Sequence, residues 1–133
     1  MEATPMATLL VVDDDPIIRE LIHQLLGEKY NCRTADRAEQ ALEFLEVQNF
    51  DVIITDAFMP SLTGIQILER IRKLHLTTPV IFISGRSEDL QKSFLEMGAF
   101  AFLNKPFRLE LLEAAVSQAI AHHQRRGEGP GGV

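Results

Sequence analysis

Acid, hydroxyl and ammonium side chains stand at the ends of apolar runs in this sequence. Asp13, Asp14 and Asp15 follow TLLVV, Asp56 follows DVIIT, Ser84 closes PVIFIS, and Lys105 comes just after FAFL. Consecutive carboxylates are costly, since two unit charges about 4 Å apart repel by roughly 4 kcal/mol at an effective dielectric near 20. A divalent cation lodged among them inverts that repulsion. Hard oxygen ligands with open positions suit Mg²⁺, which keeps waters and takes one or two carboxylates plus phosphate. Such an ion also neutralises charge on a phosphoryl group in transfer. Asp56 has the chemistry of a nucleophile that accepts a phosphoryl group as an acyl phosphate. Ser84 would donate a hydrogen bond to one phosphoryl oxygen, and Lys105 would pair with another. Singly, each has a plainer use: Asp15 as a helix cap, Asp56 as the cap of a turn, Ser84 as a turn hydroxyl, Lys105 as a solvated charge. Asp13 and Asp14 have no capping use, and the joint placement of the set favours one shared site.

The elements that must position these residues alternate along the chain. TLLVV (8–12), DVIIT (51–55) and PVIFIS (79–84) are apolar throughout, as strands buried on both faces are, and NCRTA (31–35) and FAFL (100–103) are weaker runs of the same kind. Between them lie helical periods. Asp15 is a good N-cap and Pro16 a good first helical residue, followed by Ile18, Leu21, Ile22 and Leu25 at three- and four-residue spacing. Ala38, Ala41, Leu42 and Leu45 repeat the pattern, as do Ile67, Leu68 and Ile71. Glu88 to Met97 predicts a shorter helix ended by Gly98. Leu109, Leu112, Val116 and Ile120 form the last stripe, widened by Leu111, Ala115 and Ala119. Strand–helix alternation with short links predicts an α/β fold, a doubly wound parallel sheet with helices on both faces and right-handed crossovers. Ligands of such sheets bind beyond the carboxyl ends of the strands, where the acids, the hydroxyl and the ammonium collect.

Size and composition narrow the function. The 133 residues suit one domain, with 1–7 a disordered N-terminus, 8–122 the folded unit and 123–133, Gly-rich and without apolar period, a flexible tail or linker. A net charge of −6, with Arg125 and Arg126 as the only basic pair near an end, argues against direct nucleic-acid binding. Cys32 is the single cysteine, so no disulfide framework or cysteine zinc site is expected, and a small apolar role in a strand is. The start MEATPMA lacks the basic and apolar regions of a secretion signal, and no apolar run approaches the roughly 20 residues that span a bilayer. A cytoplasmic chain with no membrane association is the expectation. No phosphate-cradling glycine motif for nucleotides is present.

The joint pattern resembles the receiver domain of two-component response regulators. The residues that carry it are VVDDDP, then Asp56 to Gly64 as D-x-x-M-P-x-x-x-G, then ISGRS, then GAFAFLNKPF, covering about 8 to 121. The resemblance implies a three-layer flavodoxin-like sheet of strand order 2-1-3-4-5. It implies transfer of a phosphoryl group to Asp56 from a phosphohistidine on a sensor histidine kinase or a histidine phosphotransfer protein. It implies that Mg²⁺ is held by Asp14, Asp56 and the backbone carbonyl of Phe58, with Asp13 acting largely through water. Ser84 would be the switch hydroxyl and Phe102 the switch aromatic. Lys105 would contact the phosphoryl group, and the Lys105–Pro106 bond would be cis. An effector domain or output protein would read the face that bears Phe102, the chain being a monomer or a phosphorylation-dependent dimer.

Two features depart from the family pattern. Phe58 and Arg86 stand two residues beyond Asp56 and Ser84, where side chains flank the path of the hydrolytic water, so a long-lived phospho-form is expected. Phe100 and Ala101 replace the acidic pair that many relatives use in a charged dimer. That dimer is not expected, an exposed Phe100 marking instead an apolar docking patch or an idle surface aromatic. GAF before the last strand is more like receivers attached to ATPase-type transcription activators. Two rivals to a signalling switch are a Mg²⁺-dependent phosphatase built on the Asp13-x-Asp15 pair, for which there is no room for a cap domain, and an interaction module that is never phosphorylated.

Overall fold

The computed structural model describes residues 6–60, 62–74, 77–85 and 89–128. Strands and helices alternate as β1 (Thr8–Val12), α1 (Pro16–Leu26), β2 (Asn31–Ala35), α2 (Ala38–Val47), β3 (Val52–Asp56), α3 (Gly64–Leu74), β4 (Val80–Ser84), α4 (Asp89–Glu96), β5 (Ala101–Asn104) and α5 (Leu109–Glu128). The sheet is parallel throughout in the order β2-β1-β3-β4-β5, the flavodoxin-like arrangement expected. Register follows the apolar runs, with Leu10 opposite Ile53, Ile54 opposite Ile81, and Ile83 opposite Leu103.

The two-residue repeat of each strand divides the core into two layers. Leu9, Val11, Val52, Ile54, Ile81 and Ile83 face α1 and α5, meeting Ile22, Leu26, Leu112 and Val116. Leu10, Val12, Ile53, Val80 and Phe82 face the other way, towards α2, α3 and α4, meeting Leu45, Ile67, Leu68, Ile71 and Phe94. The central strands β3 and β4 are buried along their whole length, which is why they read as unbroken apolar runs.

Where boundaries differ from expectation, the hydrogen bonds give the reason. The third strand starts at Val52 because Asp51 lies beyond the ladder, its carboxylate accepting from the Thr8 amide at 2.8 Å, and the strand ends on Asp56, which pairs with Ile83. Leu21 and Leu111, expected on buried stripes, are exposed. The apolar face of α1 runs instead through Ile18, Ile22, Leu25 and Leu26. The expected tail at 123–133 starts too early, because α5 continues to Glu128. His123, in this added part of the helix, lies with Nε2 3.7 Å from an Asp51 oxygen. Residues 1–5 and 129–133 lie outside the described residues, as do Arg86 and the expected start of the fourth helix at Glu88. Phe100 is half-buried rather than exposed, packed on the α1/α5 layer with its ring centre 5.5 Å from that of His122. Among the described residues, no helix is long and apolar enough to cross a membrane.

Candidate functional site

Four neighbouring strand ends deliver the site. β1 runs out into Asp13 and Asp14, β3 ends on Asp56, β4 on Ser84, and β5 is followed by Lys105. The chain therefore brings residues up to 92 apart in sequence onto one rim. Every sequence-predicted acid, the hydroxyl and the ammonium lie at this end of the sheet.

Asp13 is held from several sides. Its amide donates to the Ala35 carbonyl at 3.1 Å, across the end of β2. Its Oδ1 accepts from the Asp15 amide at 2.9 Å, and its Oδ2 accepts from Lys105 Nζ at 3.2 Å. Asp56 is held similarly: Oδ1 accepts from the Phe58 amide at 2.9 Å and Oδ2 from Lys105 Nζ at 3.1 Å. The Lys105 amide donates to the Ser84 carbonyl at 2.6 Å, which fixes the root of the lysine beside β4. The Lys105–Pro106 bond is cis. Asp14 is exposed at the mouth, whereas Asp13 and Ser84 are almost wholly buried. Asp15 does cap α1, its Oδ1 accepting from the Ile17 amide at 2.9 Å.

Charge in this pocket is unevenly balanced. Burial pushes the Asp13 carboxyl above its ordinary range; the Asp15 amide and Lys105 pull it back, and the Asp56 charge adds to the rise. Burial alone would lower the Lys105 ammonium, but its bond to Asp56 and the Asp13 charge outweigh that and hold it above its usual value. One carboxylate oxygen from each of Asp13, Asp14 and Asp56 lies within 4.8 Å of the others. This all-oxygen set, open on the Asp14 side, fits a hard dication, and Lys105 meets part of the negative charge that such an ion would share.

The remaining expected residues flank the pocket. Phe58 is partly buried, packs on the α2/α3/α4 layer, and pairs across a short bridge with Thr63. Phe102 is turned inward and only 6% exposed. Its ring meets Phe94 of α4 edge-on at 5.2 Å, and Phe94 meets Phe82 in the same way at 4.8 Å. Sequence reasoning did not single out Phe94 or Arg19. An arginine in the first turn of a helix that leaves an acidic loop is a signal that would have found Arg19, whose Nη1 donates to the Asp13 carbonyl at 2.7 Å.

Comparison with known proteins bears on the family and the fold. The family model described as response regulator receiver domain matches residues 9–117. The DNA-binding transcriptional regulator NtrC of Escherichia coli K12 is 36% identical over 118 residues, which are 87% of this chain and 25% of that protein. The sensor histidine kinase RcsC of the same organism is 37% identical over 112 residues, 82% of this chain and 12% of that one. This chain thus spans a quarter or less of either relative. A response regulator receiver domain protein from Clostridium thermocellum, known from its crystal structure, superposes with a TM-score of 0.84 at 33% identity, covering 90% of this chain and 98% of the other.

Proposed function

We propose, for a chain that belongs to the response regulator receiver domain family, that Asp56 takes a phosphoryl group from a phosphohistidine and that the chain switches its partner surface in response. The observation that carries this reading is the Lys105 ammonium shared between Asp13 and Asp56, with Asp14 within reach of both. In the transfer, an Asp56 carboxylate oxygen forms a bond to phosphorus as the phosphorus–nitrogen bond to the donor imidazole breaks. The electron pair leaves with the imidazole, and the product is an acyl phosphate. Mg²⁺ held by Asp14, Asp56 and the Phe58 carbonyl, with Asp13 through water, would supply neutralisation of the phosphoryl oxygens. Lys105 gives up its bond to Asp56 Oδ2 and pairs with a phosphoryl oxygen, remaining tied to Asp13. The Ser84 hydroxyl donates to another.

The donor is a sensor histidine kinase or a histidine phosphotransfer protein, acting in the cytoplasm. Catalysis is confined to the chain's own aspartate. The readout runs through Ser84 and the inward Phe102, whose ring packs on Phe94 of α4. Movement of Ser84 towards the phosphoryl group alters the packing that α4 and β5 share, a two-state element biased by local charge. An effector domain or separate output protein then meets the changed face.

Incubation with acetyl phosphate and Mg²⁺, read by intact mass, tests the reading. One added phosphoryl group on the unaltered chain and none on Asp56→Asn supports it. Equal labelling of both, or steady turnover of a phosphomonoester, overturns it in favour of another acceptor or a phosphatase.

A further inference from the structure

The direction of Asp14 is set by the backbone that precedes it, because this side chain is exposed at the pocket mouth. The chain is held through both peptides of Asp13. The Asp13 amide donates to the Ala35 carbonyl at 3.1 Å, and Arg19 Nη1 donates to the Asp13 carbonyl at 2.7 Å. The helix that carries Arg19 is fixed beside this loop, since the Arg19 amide closes the first turn of α1 on the Asp15 carbonyl at 3.0 Å. Rotation of the Asp13 carbonyl would break the Arg19 bond and swing Asp14 away from Asp13 and Asp56.

We propose that Arg19 is a positioning residue of the metal pocket: through its bond to the Asp13 carbonyl it keeps the Asp14 carboxylate converged with those of Asp13 and Asp56. This rests on the reading above that the pocket takes Mg²⁺. A plainer role, charge balance for the acidic cluster, makes the opposite prediction. A cation behind the pocket repels an incoming dication, so its removal would tighten Mg²⁺ binding by Coulomb's law. Loss of an outer group that orients a ligand weakens it, commonly by about 10–100-fold. The sign of the change separates the two.

The experiment is calorimetric titration of Mg²⁺ into the unaltered chain, Arg19→Met and Arg19→Lys, with urea unfolding of each in chelator. The expected result is a dissociation constant about tenfold weaker in Arg19→Met, with part of the loss recovered in Arg19→Lys, which keeps a cationic donor. A purely structural role would shift the urea midpoint and leave the dissociation constant alone, and that result overturns the proposal. Equal or tighter binding by Arg19→Met, or equal losses in the two variants, overturns it too. Should Arg19→Met fail to fold, Arg19→Gln takes its place: binding weaker than that of the unaltered chain supports positioning, and equal or tighter binding refutes it. Absence of Mg²⁺ binding by the unaltered chain would sink both this proposal and the metal-dependent reading beneath it. Normal binding there with unchanged variants sinks only the role of Arg19.

Discussion

Replacing Lys105 with methionine keeps the apolar stem and deletes the ammonium between Asp13 and Asp56. Nζ lies 3.2 Å from one carboxylate and 3.1 Å from the other. At an effective dielectric near 20 each contact is worth about 5 kcal/mol of gross attraction. Desolvation of the lysine, which the substitution relieves, offsets a large part of that. What remains is two carboxylates without their shared cation, one of them 1% exposed. Removal of one partner from a buried pair costs about 3–5 kcal/mol. The Asp15 and Phe58 amides still serve both acids, which puts the loss near the lower figure, about 3 kcal/mol. Urea unfolding in chelator measures it.

The deficit should also respond to protons. Burial already raises the Asp13 carboxyl above 3.8, against the pull of the Asp15 amide and Lys105. Without Lys105 it rises further. Between 3.8 and its folded value the native state binds more protons than the unfolded chain. Stability therefore falls as pH rises through that window and returns on acidification. The deficit should be larger near pH 8 than near pH 5, and Mg²⁺ should shrink it by replacing the lost charge. A loss under about 1 kcal/mol in chelator near pH 8, or one indifferent to both acid and Mg²⁺, would refute the reasoning.

Three further outcomes follow from packing and shielding. A Cβ on Gly64 would lie 2.5 Å from Phe94 Cε2 and 2.6 Å from the Ala57 carbonyl oxygen, so Gly64→Ala should cost about 1–3 kcal/mol in urea unfolding; an unchanged midpoint would show that this contact yields freely. Burial pushes the Cys32 thiol up from 9.0 to about 11, which cuts its thiolate fraction near neutral pH about a hundredfold. Iodoacetamide should then label the native chain far more slowly than the urea-unfolded one, and comparable rates would contradict the burial. If Phe58 shields the acyl phosphate from water, Phe58→Asn should speed loss of the phosphoryl group several-fold; an unaltered rate would remove Phe58 from the account.

Much of the fold is local in origin and was therefore legible. TLLVV and NCRTA coincide with β1 and β2, Asp15 caps α1 through its own carboxylate, and Gly98 adopts the positive φ of 106° expected after a helix. Each depends on a few adjacent residues whose chemistry or period is visible in one dimension. The site residues were visible because each marks the end of an apolar run and their types make one chemistry. Their connections were not. That Lys105 ties Asp13 to Asp56, or that Phe94 fills the space opposite Gly64, depends on contacts across the sheet that no local spacing encodes. The place of Arg19 in the first turn after the acidic loop is visible in the sequence, but the carbonyl that it meets is not. The last helix runs past its expected end, with His123 3.7 Å from Asp51 just before the central strand β3, whereas glycine content alone suggested a tail.

The central claim is that this acidic rim readies Asp56 to carry phosphorus, and trapping the adduct tests it most directly. After incubation with a small phosphoryl donor, borohydride reduces an acyl phosphate to an alcohol, and peptide mass then locates the altered residue. The account predicts reduction at Asp56 when Mg²⁺ is present and none when it is chelated. Reduction at another residue, or equal trapping with and without the metal, would contradict it.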